Sequence, residues 1–234
     1  MHPLVVVPTY NEAGSLPGLL ADVLAADPRI EVLVVDDASP DGTAGLVRTH
    51  PAYGQRVHLI ERPGKLGLGT AYRDGFRWAL ARVYDACIEM DADLSHDPAD
   101  LPRLIAALDE GADVAVGSRY AGGVRVVDWP LPRLLLSLGA SRYVRLLTGL
   151  PLSDPTSGFK AIRRAVLERL DWGRFTSGGY SFQVEFHYFA WRAGFRLREV
   201  PIVFTERRRG ASKMSHAIAV EAARRVIQLG VFGR

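Results

Sequence analysis

The sequence has a single cysteine, Cys87, among 234 residues. An internal disulfide is therefore excluded. Because Cys87 lies within the apolar stretch 86–90, we expect a buried thiol in a protein of a reducing compartment. Residues 1–7 lack the basic region and the apolar length of a secretory signal, so the sequence favours a cytoplasmic location.

Long apolar runs are also absent. The longest candidates are interrupted by Arg133, Arg142 or Arg145 and fall short of the roughly 18 residues that cross a bilayer. We therefore expect no transmembrane domain, and any contact with a membrane to be peripheral.

Net charge is small, at +3, although basic residues concentrate near the C-terminus in the order Arg207, Arg208, Arg209 and Lys213. Such a cluster is commonly a solvated surface, but it also suits phosphate groups, nucleic acid or an anionic membrane. The overall composition, 48% hydrophobic and 24% charged, is that of a globular protein, for which one domain is the first expectation.

Short β-branched runs alternate with stretches of helical periodicity, a pattern typical of a parallel sheet covered by helices. The predicted strands are residues 4–7, 30–35, 57–61, 86–90 and 113–117, and the predicted helices are residues 15–24, 43–50, 70–83 and 101–110. From about residue 122 the alternation stops and a mixed portion begins. There we predict helices over residues 131–147, 182–193 and 217–232, and strands over residues 159–162 and 196–204.

Ligands of such sheets bind at the carboxyl ends of the strands, where this sequence is unusually polar. Asp91 and Asp93 flank Ala92 directly after the fourth strand, and an extended chain points both carboxylates to one side. Paired carboxylates suit Mg²⁺ or Mn²⁺. A solvated turn or a helix cap is the alternative interpretation of so common a triplet.

A second acidic pair, Asp36 and Asp37, ends the second strand. A carboxylate there can accept hydrogen bonds from a ribose or a base. The following residues, 39–42, form a strong turn signal by themselves, and both interpretations hold if the turn orients Asp37.

The glycine-rich segment 64–69 raises the possibility of a dinucleotide-dependent dehydrogenase. That fingerprint belongs in the first strand-to-helix turn, whereas these glycines follow the third strand with a different spacing. The sequence therefore disfavours the dehydrogenase class.

Six motifs follow one another along the chain: VPTYNE at 7–12, DDASPDGT at 36–43, KLGLGTAY at 65–72, MDADLSH at 90–96, GSRY at 117–120 and TSGF at 156–159. Together they resemble the dolichol-phosphate mannose synthases, which are inverting glycosyltransferases of the GT-A fold. The resemblance runs from about residue 4 to about residue 213. It implies an α/β nucleotide-binding fold, GDP-mannose as donor, polyprenyl phosphate in a membrane as acceptor, and Mg²⁺ or Mn²⁺ as cofactor.

The resemblance also assigns roles to individual positions. It places around the donor nucleotide Pro8, Tyr10, Glu12, Val35, Asp37, Asp91, Ala92, Asp93 and Arg207. It assigns the metal to Asp91 and Asp93, and the acceptor phosphate to Arg119, Arg133, Arg207 and Lys213. It implies that the catalytic residues are Asp91, Asp93, Arg119 and Lys213. Family members often carry Gln where this chain has Ser95.

On this basis residues 1–234 form one catalytic domain, with a nucleotide-binding half at 1–121 and an acceptor-binding half at 122–234. Helices 131–147 and 217–232 either pack in the core or lie in the headgroup region, and a separate membrane protein is another possible anchor. A UDP-sugar transferase of the same fold stays open. A nucleic-acid-binding module is a distant alternative, since no groove-reading motif is present and the acidic loops repel phosphate; we expect no nucleic-acid partner.

Overall fold

A computed structural model describes residues 1–179, 181–205 and 216–232. The predicted roles of Arg207 and Lys213, and the rest of the basic cluster, fall outside these residues. The strands are β1 (Pro3–Thr9), β2 (Glu31–Asp36), β3 (Val57–Glu61), β4 (Ala86–Glu89), β5 (Val114–Ser118), β6 (Val126–Val127), β7 (Lys160–Arg163), β8 (Leu197–Pro201) and β9 (Phe204–Thr205). The helices are α1 (Leu16–Ala26), α2 (Thr43–Arg48), α3 (Leu68–Leu80), α4 (Leu101–Asp109), α5 (Leu131–Thr148), α6 (Arg164–Arg169), α7 (Ser181–Arg192) and α8 (His216–Phe232).

Seven strands form one sheet in the order β3-β2-β1-β4-β7-β5-β8. All neighbouring pairs are parallel except those of β7, which lies antiparallel between β4 and β5. The predicted parallel, helix-covered sheet is confirmed. Strands β7 and β8 come from the mixed portion of the sequence and join the same sheet. A separate parallel pair consists of β6 and β9.

The central strands are apolar on both faces because helices cover both faces. In β1, Leu4 and Val6 face a core shared with α3 and α7, whereas Val5 and Val7 face a core shared with α1 and α4. Helix α3 approaches β1 closely at Gly75, where a Cβ atom would lie only 2.5 Å from Val6 Cγ1. This position therefore requires glycine.

The prediction of one continuous strand over residues 196–204 is wrong. Residues 196–204 are two strands, because the chain leaves the main sheet after Pro201 and Phe204 N then donates to Arg125 O of the β6 segment (3.0 Å). The pattern analysis also missed β6 and α6. Both are too short, at 2 and 6 residues, for a periodicity to emerge.

Helix α5 has two contrasting faces. Val144 and Ser141 are buried on its inner face, and Tyr143 Oη donates to Ala223 O of α8 (3.1 Å). Its outer face exposes leucines at four positions, namely Leu131, Leu135, Leu136 and Leu146. The helix therefore packs on the core through one face and presents apolar side chains to solvent on another; its placement in a headgroup region stays a prediction. Among the described residues no helix has the length and hydropathy needed to cross a bilayer.

Candidate active site

The loops after β1 and β2 lie side by side because the strands pair in parallel register. Pro8 is the partner of Val35, and Asp37 N donates to Thr9 O (3.0 Å) where the strands end. Tyr10 and Glu12 follow on the β1 loop. The structure thus brings five predicted nucleotide-binding positions, Pro8, Tyr10, Glu12, Val35 and Asp37, to one corner of the sheet.

Asp36 and Asp37 have different surroundings. Asp36 is buried and accepts hydrogen bonds from Thr9 Oγ1 (2.7 Å) and from Ser39 Oγ (2.6 Å), which fixes the turn that the sequence predicted. Asp37 accepts from Arg62 Nε at its Oδ1 (2.6 Å) and from Leu66 N at its Oδ2 (3.2 Å). The turn and the charge therefore coexist, and Asp37 also holds the loop after β3.

Sequence reasoning missed the cations of that loop. Arg62 is buried, and its Nη1 donates to Thr70 Oγ1 (2.9 Å). Lys65 Nζ lies 4.4 Å from the centroid of the Tyr10 ring. The unmatched charge of the acidic pair was the one available signal, since a buried carboxylate requires a cationic partner, but nothing in the sequence says which cation supplies it.

Asp91 and Asp93 follow β4 directly, as predicted. Tyr72 Oη donates to Asp91 Oδ1 (3.4 Å), and burial, followed by the Asp91 charge, raises the pKa of Tyr72, so the phenol keeps its proton. Ser95 donates to Asp93 Oδ1 from its backbone N (3.1 Å) and from its Oγ (2.6 Å). Ser95, where the family often has Gln, therefore orients the second aspartate.

His96 contacts the same loop from the buried side. It is buried and stacks on Phe159 with 4.7 Å between ring centroids, and its Nδ1 accepts from Asp91 N (3.3 Å). Burial is the largest cause of a lowered pKa for His96, which is consistent with a neutral ring accepting at Nδ1.

A buried polar network lies beneath the aspartates. Lys160 on β7 contacts Glu89 Oε2 (2.8 Å) and Gln183 Oε1, and Gln183 Nε2 donates to Glu89 Oε2 (2.8 Å). Within the part of the chain that the structure describes, Glu89 Oε1 has no hydrogen-bond partner. Since Glu89 and Asp91 sit two positions apart on one strand end, this network adjoins the carboxylate pair.

Arg119, on the loop after β5, is held by a bidentate ion pair. Its Nε and Nη2 donate to Asp154 Oδ2 and Oδ1, each at 2.6 Å, and Nη2 also donates to Thr156 Oγ1 (2.8 Å). Burial lowers the pKa of Arg119, but Asp154 outweighs it and the net shift is upward. The guanidinium is therefore a fixed positive charge at this edge.

Arg133 joins Arg119 through an aromatic side chain. The Arg133 guanidinium lies 4.1 Å from the centroid of Trp129, and the Arg119 guanidinium lies 5.5 Å from the same ring. Phe204 connects this group to the β4 loop, because its ring lies 5.5 Å from Trp129 and 5.4 Å from His96. The predicted phosphate-binding arginines and the predicted metal ligands thus share one edge of the sheet.

In the described ranges, four non-glycine residues have a left-handed backbone, with φ between 54° and 62°: Asn11, Ala38, Leu94 and Asp128. They lie on the loops after β1, β2 and β4 and on the segment after β6, next to Trp129. Each such conformation costs of order 1 kcal/mol or more for a residue with a side chain, and residues of this kind collect at functional sites. The backbone strain therefore marks the same edge as the charged side chains.

The sequence matches the family "Glycosyl transferase family 2" over residues 4–171. A polyprenol monophosphomannose synthase of Mycolicibacterium smegmatis is 48% identical over 232 residues, which are 99% of this chain and 88% of that protein. An undecaprenyl-phosphate mannosyltransferase of Micrococcus luteus is 46% identical over 234 residues, or 100% of this chain and 96% of that protein.

Solved structures share the fold. The mannosyltransferase PcManGT from Pyrobaculum calidifontis, in complex with GDP-Man and Mn²⁺, is 22% identical with a TM-score of 0.61, over 99% of this chain and 63% of that one. Glucosyl-3-phosphoglycerate synthase from Mycobacterium tuberculosis, with Mn²⁺ and UDP, is 18% identical with a TM-score of 0.64, over 96% and 77% of the two chains. The fold expected from the motifs is confirmed, and the chain belongs to glycosyl transferase family 2.

Proposed function

We propose that this protein is a mannosyltransferase that moves mannose from GDP-mannose to the phosphate of a membrane polyprenol. The observation that carries the proposal is the placement of two arginines, Arg119 and Arg133, at the same edge as the aspartate pair Asp91 and Asp93. The two relatives that are 46–48% identical over at least 99% of the chain bear names of polyprenyl-phosphate mannosyl transfer.

The donor nucleotide occupies the corner formed by the loops after β1 and β2. Pro8, Tyr10 and Val35 give it walls, and Glu12 and Asp37 offer carboxylate acceptors to base or ribose hydrogen-bond donors. Lys65, over the Tyr10 ring at 4.4 Å, adds a cation to this corner.

A divalent cation fits the donor set of Asp91 and Asp93, with Ala92 between them. Both carboxylates have fixed orientations, through Tyr72 and Ser95. The described residues contain no group of three or more acidic, histidine or cysteine side chains arranged for a metal. Hard cations such as Mg²⁺ or Mn²⁺ suit such a site because they keep waters and take substrate phosphates as ligands. When bound, the ion supplies charge neutralisation for the leaving diphosphate.

The acceptor needs little activation by the protein. A phosphate monoester has a second pKa of about 6, so the nucleophile is already largely anionic at neutral pH and no strong protein base is required. The chain's task is to hold one anion near another, which Arg119 and Arg133 perform as phosphate-binding cations. A single displacement with inversion then gives a β-linked mannosyl phosphate. Detection of a covalent mannosyl-enzyme would contradict this mechanism.

Arg207 and Lys213 complete the proposed phosphate-binding set, Arg207 for donor and acceptor and Lys213 for the acceptor. Both residues lie outside the described part of the chain and follow β9 in the sequence, where Phe204 packs beside Arg119 and His96. Lys213→Ala should lower turnover more than Arg208→Ala or Arg209→Ala does. Equal, small effects of the three substitutions on turnover would indicate that the basic cluster is a solvated surface.

The lipid acceptor requires a membrane surface, which we propose is the cytoplasmic face, bound peripherally through α5 and α8. Leu135 and Leu146 on the outer face of α5 are 60% and 75% exposed. Helix α5 contains no acidic residue, and its Arg142 and Arg145 are exposed beside these leucines. Apolar side chains flanked by arginines are the pattern of a helix lying in the headgroup region of an anionic bilayer. A separate anchor protein is the competing arrangement.

Incubation of the purified protein with GDP-mannose, Mg²⁺ and a short polyprenyl phosphate tests the activity. We expect a lipid-linked mannose that appears together with GDP. Competition between GDP and UDP for the donor site decides the sugar nucleotide, because guanine and uracil present different hydrogen-bonding edges. Solved structures of the same fold contain UDP, so a UDP-sugar donor is the alternative to test. Tighter binding of UDP than of GDP, with transfer from a UDP-sugar only, would contradict mannose transfer and support that alternative.

A further inference from the structure

Trp129 stands between the two arginines of the proposed acceptor site. Its ring centroid lies 4.1 Å from the guanidinium carbon of Arg133 and 5.5 Å from that of Arg119. Phe204 meets the indole edge-on, with 5.5 Å between centroids and 81° between ring planes. The indole is therefore fixed in orientation by packing, and both cations contact it.

Two guanidiniums beside one ring repel each other, and the arrangement needs a compensating attraction. The face of an indole supplies part of it, since the ring quadrupole attracts a cation that lies over the ring. Asp154 neutralises Arg119 from one side. Among the described residues, Arg119 Nη1 has no hydrogen-bond acceptor, so one donor of the guanidinium is left for a ligand.

The indole nitrogen gives an independent indication of a ligand. Trp129 Nε1 is buried and has no hydrogen-bond acceptor among the described residues. A buried donor without an acceptor is destabilising, and nearly all such groups in native structures have a hydrogen-bond partner, which a bound ligand can supply. A phosphate monoester brings three acceptor oxygens.

The position of Trp129 along the chain fits a lipid phosphate. It precedes the N-cap residue of α5, Pro130, by one position, and the first helical residue, Leu131, is 65% exposed. A phosphate beside Trp129 is thus two positions along the chain from the start of the helix whose apolar face is proposed to lie on the membrane. Tryptophan is itself favoured at the level of lipid headgroups, where one part of the ring is apolar and the N–H is polar.

We propose that Trp129 is a binding residue for the acceptor phosphate: its indole N–H donates to a phosphate oxygen, and its ring holds Arg119 and Arg133 in position for the same group. This inference rests on the proposed function and names a residue that the family motifs did not assign. It predicts that loss of the N–H and loss of the ring have separable effects.

The test compares Trp129→Phe, which keeps a ring and removes the N–H, with Trp129→Leu, which removes both. The control is Trp78→Phe. The guanidinium of Arg82 also lies over the Trp78 ring, at 3.7 Å from its centroid, but Trp78 is near the C-terminal end of α3, outside the proposed acceptor site. Titration of the full chain with farnesyl phosphate in detergent, and separately with GDP and Mg²⁺, gives the two dissociation constants without turnover. Farnesol, which lacks the phosphate, serves as the reference ligand.

For Trp129→Phe we expect the dissociation constant for farnesyl phosphate to rise about 10-fold, the equivalent of one lost hydrogen bond to a charged group, and that for GDP to stay within about 2-fold. Trp129→Leu should weaken farnesyl phosphate further, and Trp78→Phe should change neither constant. If Trp129→Leu does not fold, Trp129→Phe alone decides the matter. Unchanged binding in Trp129→Phe, or an equal loss for GDP and for farnesol, would overturn the assignment.

The same titration separates this inference from the proposed function. Wild-type protein that binds farnesyl phosphate through Trp129 but transfers no mannose to it would refute the proposed reaction and leave the phosphate site standing. Wild-type protein that makes the lipid-linked mannose while Trp129→Phe binds and reacts normally would refute the role of Trp129 alone. Failure of wild-type protein to bind farnesyl phosphate would refute both.

Discussion

Lys160 Nζ lies 2.8 Å from Glu89 Oε2, and neither side chain has any exposure to solvent. Burial lowers the pKa of Lys160 and raises that of Glu89, while each partner's charge opposes these shifts. A buried ion pair of this kind adds little net stability relative to an apolar pair, but either charge left alone is strongly destabilising.

Lys160→Met should therefore lower the free energy of unfolding by about 3–5 kcal/mol, because it leaves Glu89 buried without its cation. The double variant Glu89→Leu, Lys160→Met should recover most of that loss. Urea denaturation of the three proteins measures both effects. A single variant as stable as wild type would show that Glu89 is already neutral at the pH of the experiment.

Asp93→Ala tests the proposed metal site. Loss of one preorganised group that stabilises charge should reduce turnover by roughly 10²-fold or more, with folding preserved. A chelator should likewise abolish activity of the wild-type enzyme, and added Mg²⁺ or Mn²⁺ should restore it. Asp22→Ala, at an exposed position of α1, is the matched control. A well-folded Asp93→Ala enzyme that kept its activity in chelator would remove the metal from the mechanism.

The sequence was sufficient to locate the first five strands along the chain, because their apolar runs are bounded by polar loops. It was also sufficient to place Asp91 and Asp93 at a strand end, since that placement requires only that the strand be recognised. The sequence pattern did not predict that β7 inserts between β4 and β5. The antiparallel register is set by tertiary pairing, including the contact of Lys160 with Glu89 across 71 positions of sequence.

The partners of the site were hidden for the same reason. Arg62 meets Asp37 across 25 positions, and Arg119 meets Asp154 across 35. No local pattern reports such pairings, because each depends on which loops the fold brings together. The motif resemblance gave Arg119 a role without showing the carboxylate that holds it.

Arg119→Lys tests that carboxylate's contribution. Lysine keeps the charge but cannot make the two parallel hydrogen bonds to Asp154, so the cation should lose its fixed position. We expect kcat/KM for polyprenyl phosphate to fall about 10²-fold, a change of roughly 2–3 kcal/mol, with little change in the KM for GDP-mannose. Arg103→Lys, which alters the ion pair between the exposed Arg103 of α4 and Asp100 just before the helix, should leave both constants unchanged. Steady-state kinetics with each substrate varied in turn would expose a purely donor-side effect, which would contradict the assignment.

The apolar face of α5 makes a prediction about membrane binding. Leu135→Glu and Leu146→Glu place a charge on exposed positions, so the fold should tolerate them, while sedimentation with anionic vesicles should fall sharply. Val83→Glu is the matched control, because Val83 is 81% exposed on the segment after α3, away from α5. If both leucine variants sediment like wild type while Val83→Glu does too, α5 is not the membrane-binding face.

Backbone strain at the nucleotide corner makes the last prediction. Ala38 has φ 54° and is exposed, so its Cβ costs about 1–2 kcal/mol in a left-handed conformation with no packing in return. Ala38→Gly removes that cost and adds about 0.5–1 kcal/mol of unfolded-chain entropy, which leaves a net gain of roughly 0.5–1 kcal/mol. Ala106→Gly, at an exposed position inside α4, should instead lose about 1 kcal/mol. The opposite signs of the two changes in unfolding free energy, measured by urea denaturation, distinguish strain from a general effect of glycine.

The same substitution makes a prediction about donor binding. Because a stiff loop next to Asp37 helps to preorganise the donor site, the stabilised Ala38→Gly enzyme should also show a higher KM for GDP-mannose. A stabilised enzyme with an unchanged KM would mean that the strain at Ala38 has no part in binding the nucleotide.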